Sequence, residues 1–178
     1  MLIQKRKQKR FNIIRGKEEI RGKIDRLPYD DECLKFISSG GFSSICFTVF
    51  ISEHAKIKNM HVSSFRVGKK EIQMLHALKK RGRIEYASFI LCSFAKDESG
   101  GAFQILDKVC REHNWNVMPA NNHSKVHLYD TSKGKFVLET SSNLNENPKM
   151  EQFSFERDAD LYDFYKRNMF DFYELKTS

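Results

Sequence analysis

Several things are missing from this sequence, and each absence narrows what the chain can be. No apolar run approaches the roughly 20 residues that a membrane-spanning helix needs, so no such helix is expected. The basic start, residues 1–10, leads into no apolar stretch of the signal-peptide kind, and nothing marks the chain for export. The four cysteines, Cys33, Cys46, Cys92 and Cys110, are far apart and share no paired spacing. Cys46 and Cys92 lie inside apolar runs, where a free thiol acts as a small hydrophobe. They read as reduced and structural, which points to a cytoplasmic protein. Internal repeats and low-complexity linkers are also absent, so the 178 residues read as a single domain with its own core.

What is present in excess is positive charge, +8 at neutral pH. Lys5, Arg6, Lys7, Lys9, Arg10, Arg15, Lys17, Arg21, Lys23 and Arg26 crowd the first segment. A second cluster comprises Lys69, Lys70, Lys79, Lys80, Arg81 and Arg83, while the last thirty or so residues lean acidic. This uneven distribution attracts polyanions, and nucleic acid is the expected one. Residues 1–12 are expected to be a flexible basic arm, followed by one domain over 13–178.

Hydrophobic spacing gives a coarse map. Residues 17–26 and 33–38 read as short helices, the first broken at Pro28 and the second closed by Gly40-Gly41. Residues 45–51 are a nearly continuous apolar, β-prone run and read as a buried strand. Further strands are expected at 60–65, 86–94, 115–118 (ended by Pro119), 123–129, 136–140 and 151–155. Residues 69–80 carry Ile72, Leu75, His76 and Leu78 at helical spacing. A second amphipathic helix follows Gly100-Gly101, and Asp158 is placed to cap a last one. Strands alternating with helices argue for an α/β fold with a mixed sheet.

The chemistry concentrates in His123-Ser124-Lys125-Val126-His127-Leu128-Tyr129-Asp130. On a strand, His123 and Lys125 share one face, a poor core but a good phosphate pocket. The next strand ends Thr140-Ser141-Ser142-Asn143, where Ser141 and Asn143 share a face by the same rule. If the two strands are neighbours, an imidazole, an ammonium, a hydroxyl and an amide converge at one sheet edge, where α/β proteins place their sites.

These residues resemble the signature of the phospholipase D superfamily, H-x-K-x4-D followed by G-S-x-N. Residues 123–130 match the first part fully. Residues 140–143 match the second, with Thr140 in place of the glycine and a gap a few residues longer, containing the turn-like Ser132-Lys133-Gly134. Glu151, ahead of a strand, resembles the glutamate that follows in the family. The resemblance implies an α/β/α sandwich with a mixed sheet. It also implies roles: His123 as the nucleophile that forms a phosphohistidine, Lys125 and Asn143 as holders of the non-bridging oxygens, and Ser141 as a further donor. Glu151 would fix the tautomer of a histidine. Asp130, on the opposite strand face, would be structural support. No cofactor or metal is required; His123 and His127 share a face but lack an acidic or cysteine cluster beside them. His127 either borders the pocket or packs as a hydrogen-bonded core imidazole. His61 and His76 read as structural, His54 and His113 as surface residues, and Trp115 with the aromatic tail as core and dimer contact.

The family mechanism uses two histidines, a nucleophile and a general acid, and this chain carries one copy of the full motif. A two-fold homodimer pairing His123 of each chain is therefore expected. The resulting expectation is a metal-independent nuclease acting on DNA ahead of RNA, without a membrane partner. Lys69, Lys70, Lys79, Lys80, Arg81 and Arg83 would bind the nucleic-acid backbone. Two rival readings are a non-catalytic nucleic-acid-binding module that keeps the phosphate pocket, and a phospholipid phosphodiesterase. The interfacial helix expected of a lipid enzyme is missing from the sequence.

Overall fold

The computed structural model describes residues 7–15, 20–96 and 101–177. Eight strands are present: β1 (Gln8–Ile14), β2 (Glu32–Ser38), β3 (Ile57–Ser64), β4 (Ile84–Cys92), β5 (Asn116–Ala120), β6 (Val126–Thr131), β7 (Gly134–Thr140) and β8 (Glu151–Arg157). They form one mixed sheet in the order β1-β2-β8-β7-β6-β3-β4-β5. β1 and β2 run parallel, as do β3, β4 and β5, and the pairings through β8, β7 and β6 are antiparallel. The helices are α1 (Ile45–His54), α2 (Lys69–Lys80), α3 (Ala102–His113) and α4 (Ala159–Tyr165), which continues through a π-helical segment (Lys166–Asp171) into α5 (Phe172–Thr177). No helix is long and apolar enough to cross a membrane among the described residues.

Each face of the sheet carries a packed cluster, which follows from the alternation within its strands. On β6, Tyr129 turns to the core shared with α1, α2 and α3, while Val126 and Leu128 turn to a second cluster under Tyr162 and Phe170. The first core is rich in rings. Phe47 of α1 meets Phe36, Phe153 and Phe155 with centroids 5.3, 5.4 and 5.4 Å away. Such packing holds the helix on β2 and β8. Asp158 caps α4, its carboxylate accepting from the Leu161 amide at 2.9 Å.

Five expectations need correction. Residues 45–51 are helical, because a short apolar run reads alike for a buried strand and for a helix enclosed on most sides. Residues 33–38 are strand β2, not helix: Leu34 and Phe36 turn into the main core while Lys35 and Ile37 do not, a period of two. Of residues 20–26, Ile20–Gly22 forms a short 3-10 turn in place of the expected helix, and residues 17–19 lie outside the described residues. The expected arm gives way at residue 8 to edge strand β1, and Lys7 is held by Glu156 and Asp158 at 2.9 and 2.6 Å. Lys5 and Arg6 lie outside the described residues. Pro119 sits within β5 rather than after it, on an edge strand that tolerates a missing donor.

Burial fixes the state of two histidines. His127 lies 3.2 Å from the Tyr129 hydroxyl, which bonds Thr48 at 2.9 Å, and burial pushes its pKa down to about 3. His61 bonds Ser88 at 2.7 Å beneath Phe170, and burial, aided by Lys166, lowers it to about 4. Both are depressed below the unfolded value, so the unfolded chain takes up protons that the folded chain refuses as pH falls below about 6.5. Stability should therefore fall as pH drops from 6.5 towards 4. At pH 5 the loss is on the order of 2 kcal/mol per histidine. Thermal unfolding followed from pH 7 to pH 4.5 should show this decline, and a His61→Gln/His127→Gln variant should show a flatter one; equal slopes would contradict it.

Candidate active site

The site lies where β3 and β4 end and where β6 and β8 begin, the carboxyl edge of the parallel strands. Residues 121–125 reach β6 as an extended segment, and Asn122 anchors them. Its buried amide donates to the carbonyls of Ser64 and Ile90 at 3.2 and 3.3 Å, at the ends of β3 and β4. Its Oδ1 accepts from the Ser124 amide and hydroxyl at 3.0 and 2.6 Å. The Ser63 hydroxyl adds a 2.6 Å bond to Ser124 Oγ. His123 is thereby held at the surface, its ring centroid 5.2 Å from Phe65. Lys125 Nζ donates to the His123 carbonyl at 2.7 Å and lies 3.3 Å from His123 Nδ1. Partial burial lowers the Lys125 pKa, and the negative charge of Glu151 works the other way.

Thr140 joins the second half of the motif to the first. Its amide bonds the Lys125 carbonyl at 3.1 Å, continuing the β6–β7 ladder beyond Val126 and Glu139. Its hydroxyl donates to the Gln152 carbonyl at 2.8 Å and accepts from the Ser142 amide at 2.9 Å. A glycine at this position could make neither bond, so Thr140 tightens the turn. Asn143 Oδ1 accepts from the Phe65 amide at 3.3 Å, which leaves the Nδ2 end as the donor for an anion. Ser141 donates to buried Glu151, whose other oxygen accepts from Asn147. The carboxylate of Glu151 thus serves Ser141 and Asn147, and the tautomer-fixing contact expected of it lies outside its bonds within this chain.

Asp130 sits far along β6 and accepts from Asn59 at 3.4 Å on the face of the second core. His127 turns into the main core. A second H-x-K, His54-Ala55-Lys56, ends α1 at the opposite sheet edge, and both ring nitrogens of His54 face carbonyls, of Phe50 at 2.9 Å and Asp25 at 3.1 Å. The basic cluster is split. α2 runs antiparallel to β3 and β4, so Lys69 and Lys70 stand at the site edge, whereas Lys79, Lys80, Arg81 and Arg83 stand at the far edge. Sequence reasoning missed Asn122, Phe65, Asn147 and Arg66, whose guanidinium lies 5.4 Å from the Phe65 ring. Only Asn122 carried a local signal, its place directly before the motif. Beside Lys125 and Thr140 a cleft of about 760 Å³ opens across the uncovered part of the sheet, lined also by Lys35, Phe11, Ile13 and Ile37.

The Asn122 amide carries four bonds that nothing else nearby replaces. Asn122→Ala should cost about 2–3 kcal/mol in chemical denaturation, and should loosen His123 enough to raise amide exchange at residues 123–125. Wild-type stability and exchange in this variant would contradict the anchoring role.

No protein-family model matches the sequence, and no curated protein matches it. Among solved structures, polyphosphate kinase from Porphyromonas gingivalis superposes with a TM-score of 0.54 at 14% identity, over 76% of this chain and 22% of that one. A mutant of yeast tyrosyl-DNA phosphodiesterase gives a TM-score of 0.37 at 9% identity, over 67% of this chain and 27% of that one. The chain spans about a fifth of the kinase's length. At such identity the likeness is one of fold alone.

Proposed function

We propose that the protein is a metal-independent phosphodiesterase acting on nucleic acid through a phosphohistidine, with the complete site assembled in a two-fold homodimer. The observation that supports this reading is the placement of His123, Lys125 and Asn143, with the Ser141–Glu151 pair, at one edge of the mixed sheet. An ammonium can only donate, so beside Lys125 the unliganded His123 keeps its ring proton on Nε2. A bound phosphate draws Lys125 Nζ to its own oxygens and frees Nδ1 to take the ring proton. Nε2 then attacks phosphorus, and the bond to the leaving oxygen breaks as that oxygen takes a proton from His123 of the partner subunit, which enters the step as the imidazolium and leaves it neutral. In the second step the partner's His123 takes a proton from water, the water oxygen bonds phosphorus, and the P–N bond breaks. Lys125 and the Asn143 amide hold the charge that builds on the non-bridging oxygens.

Nucleic acid is favoured by the +8 charge and by Lys69, Lys70 and Arg66 at the site edge. Lys79, Lys80, Arg81 and Arg83, at the far edge, are left with a lesser part in binding. The engagement of Glu151 by Ser141 and Asn147 favours the second reading, a module that binds phosphate without cleaving.

Cleavage of a plasmid or oligonucleotide should persist in EDTA and fall by at least about a thousandfold in His123→Ala. Salt-sensitive binding without cleavage would support the module instead. Sedimentation should show two chains per particle; a stable monomer that cleaves would rule out the shared site. Lys69→Glu/Lys70→Glu should weaken oligonucleotide binding at least about tenfold and lower the salt slope by ~2, whereas Lys80→Glu/Arg81→Glu should change it less than about twofold. Equal losses would contradict this division of the basic surface.

A further inference from the structure

We propose that His76 and His113, with Glu112, bind a divalent transition metal of the zinc class between α2 and α3, at the sheet edge opposite His123. His113 Nε2 and His76 Nδ1 face each other at 2.9 Å, with ring centroids 4.9 Å apart. A Glu112 carboxylate oxygen lies 4.0 Å from His113 Nε2, and the three ligand atoms all fall within 4.8 Å of one another. Two neutral imidazoles facing through one nitrogen each can share a single proton between two lone pairs. A cation satisfies both at once. Ligand nitrogens about 2.0–2.1 Å from a tetrahedral ion sit about 3.4 Å apart, so this pair needs to open by only a few tenths of an ångström.

The surroundings suit a held ion rather than a passing one. The His113 side chain is 11% exposed, and Trp115 packs against its ring at 5.3 Å. Trp115 is itself fixed, its Nε1 donating to the Glu85 carbonyl at 3.3 Å. Lys79, one of the cations whose charge acts on His113, turns its ammonium to that same carbonyl. Two imidazoles and one carboxylate leave a fourth position for water. Nitrogen donors select zinc, cobalt, nickel or copper over calcium and magnesium. The ion would clamp α2 to α3, two helices between which β4 runs in the sequence. This inference stands apart from the phosphodiesterase reading, whose chemistry lies at the other edge and needs no metal.

The test uses the tag-free full chain, stripped with EDTA and dialysed, and titrated first with Co²⁺ and then with Zn²⁺. One Co²⁺ should bind per chain with a visible d–d absorption that Zn²⁺ displaces, and Zn²⁺ should raise the thermal midpoint. His113→Ala and His76→Gln (the latter able to keep a hydrogen bond to His113) should abolish the absorption and the thermal shift. Glu112→Gln should weaken Co²⁺ at least about tenfold, while His123→Ala should leave it unchanged. Absence of binding at millimolar Co²⁺, absorption that survives in both histidine variants, or its loss in His123→Ala would each overturn the proposal.

Discussion

The bond from the Thr140 amide to the Lys125 carbonyl extends the register in which β6 meets β7, and everything at the site follows from that register. Side chains alternate along a strand, so a slip of one residue would send Lys125 to the other face and part it from Asn143. Three features prevent the slip. At the far end, Ser132 and Lys133 form a two-residue turn in which the Thr131 hydroxyl bonds the Gly134 carbonyl at 2.8 Å and accepts from the Lys133 amide at 3.0 Å. Gly134 takes a φ of 120°, and a Cβ there would meet the Arg157 side chain at 2.7 Å. Along the strands, Tyr129 pairs with Phe136 on one face and Leu128 with Val137 on the other, and either pair would be stranded by a shift. The residues between the two motif halves are thus taken up in the hairpin and β7, away from the pocket.

The elements that hold the motif were the legible ones. β6, β7 and β8 announce themselves by β-branched and aromatic residues around a clear turn, and α2 and α3 by apolar residues at helical spacing. Each unread element has its own cause. α1 is buried on most of its surface, so its run from Ile45 to Ile51 carries no polar stripe by which a helix is known. β1 is an edge strand whose residues are mostly exposed, and its many cations read as an arm. β2 did carry a period of two in Leu34 and Phe36, which the length of the segment obscured. At the site, the motif residues were visible because their chemistry is conspicuous. Asn122, Phe65 and Asn147 were not, since their value lies in backbone groups and side chains brought close only by the fold.

Electrostatics divides the molecule in the same way. Histidines that face the cores, His61 and His127, are held neutral by burial and serve packing. His123 stays exposed beside an ammonium with a lowered pKa, a combination that gains by binding a phosphate. Thr140 contributes to that pocket through both of its polar groups, so its presence in place of a glycine is a reason for order at the turn. The pocket still offers a single imidazole, and a displacement that needs an acid as well as a nucleophile requires a second one.

The measurement closest to this account is a direct search for the covalent intermediate. A short oligonucleotide is mixed with the protein in EDTA, quenched in alkali, where a phosphohistidine survives, and digested for mass spectrometry. The account predicts a transient nucleotidyl adduct on the peptide that contains His123, rising and decaying with turnover and absent in His123→Asn. Cleavage that proceeds with no adduct at any time point, or with one on a different residue, would contradict it.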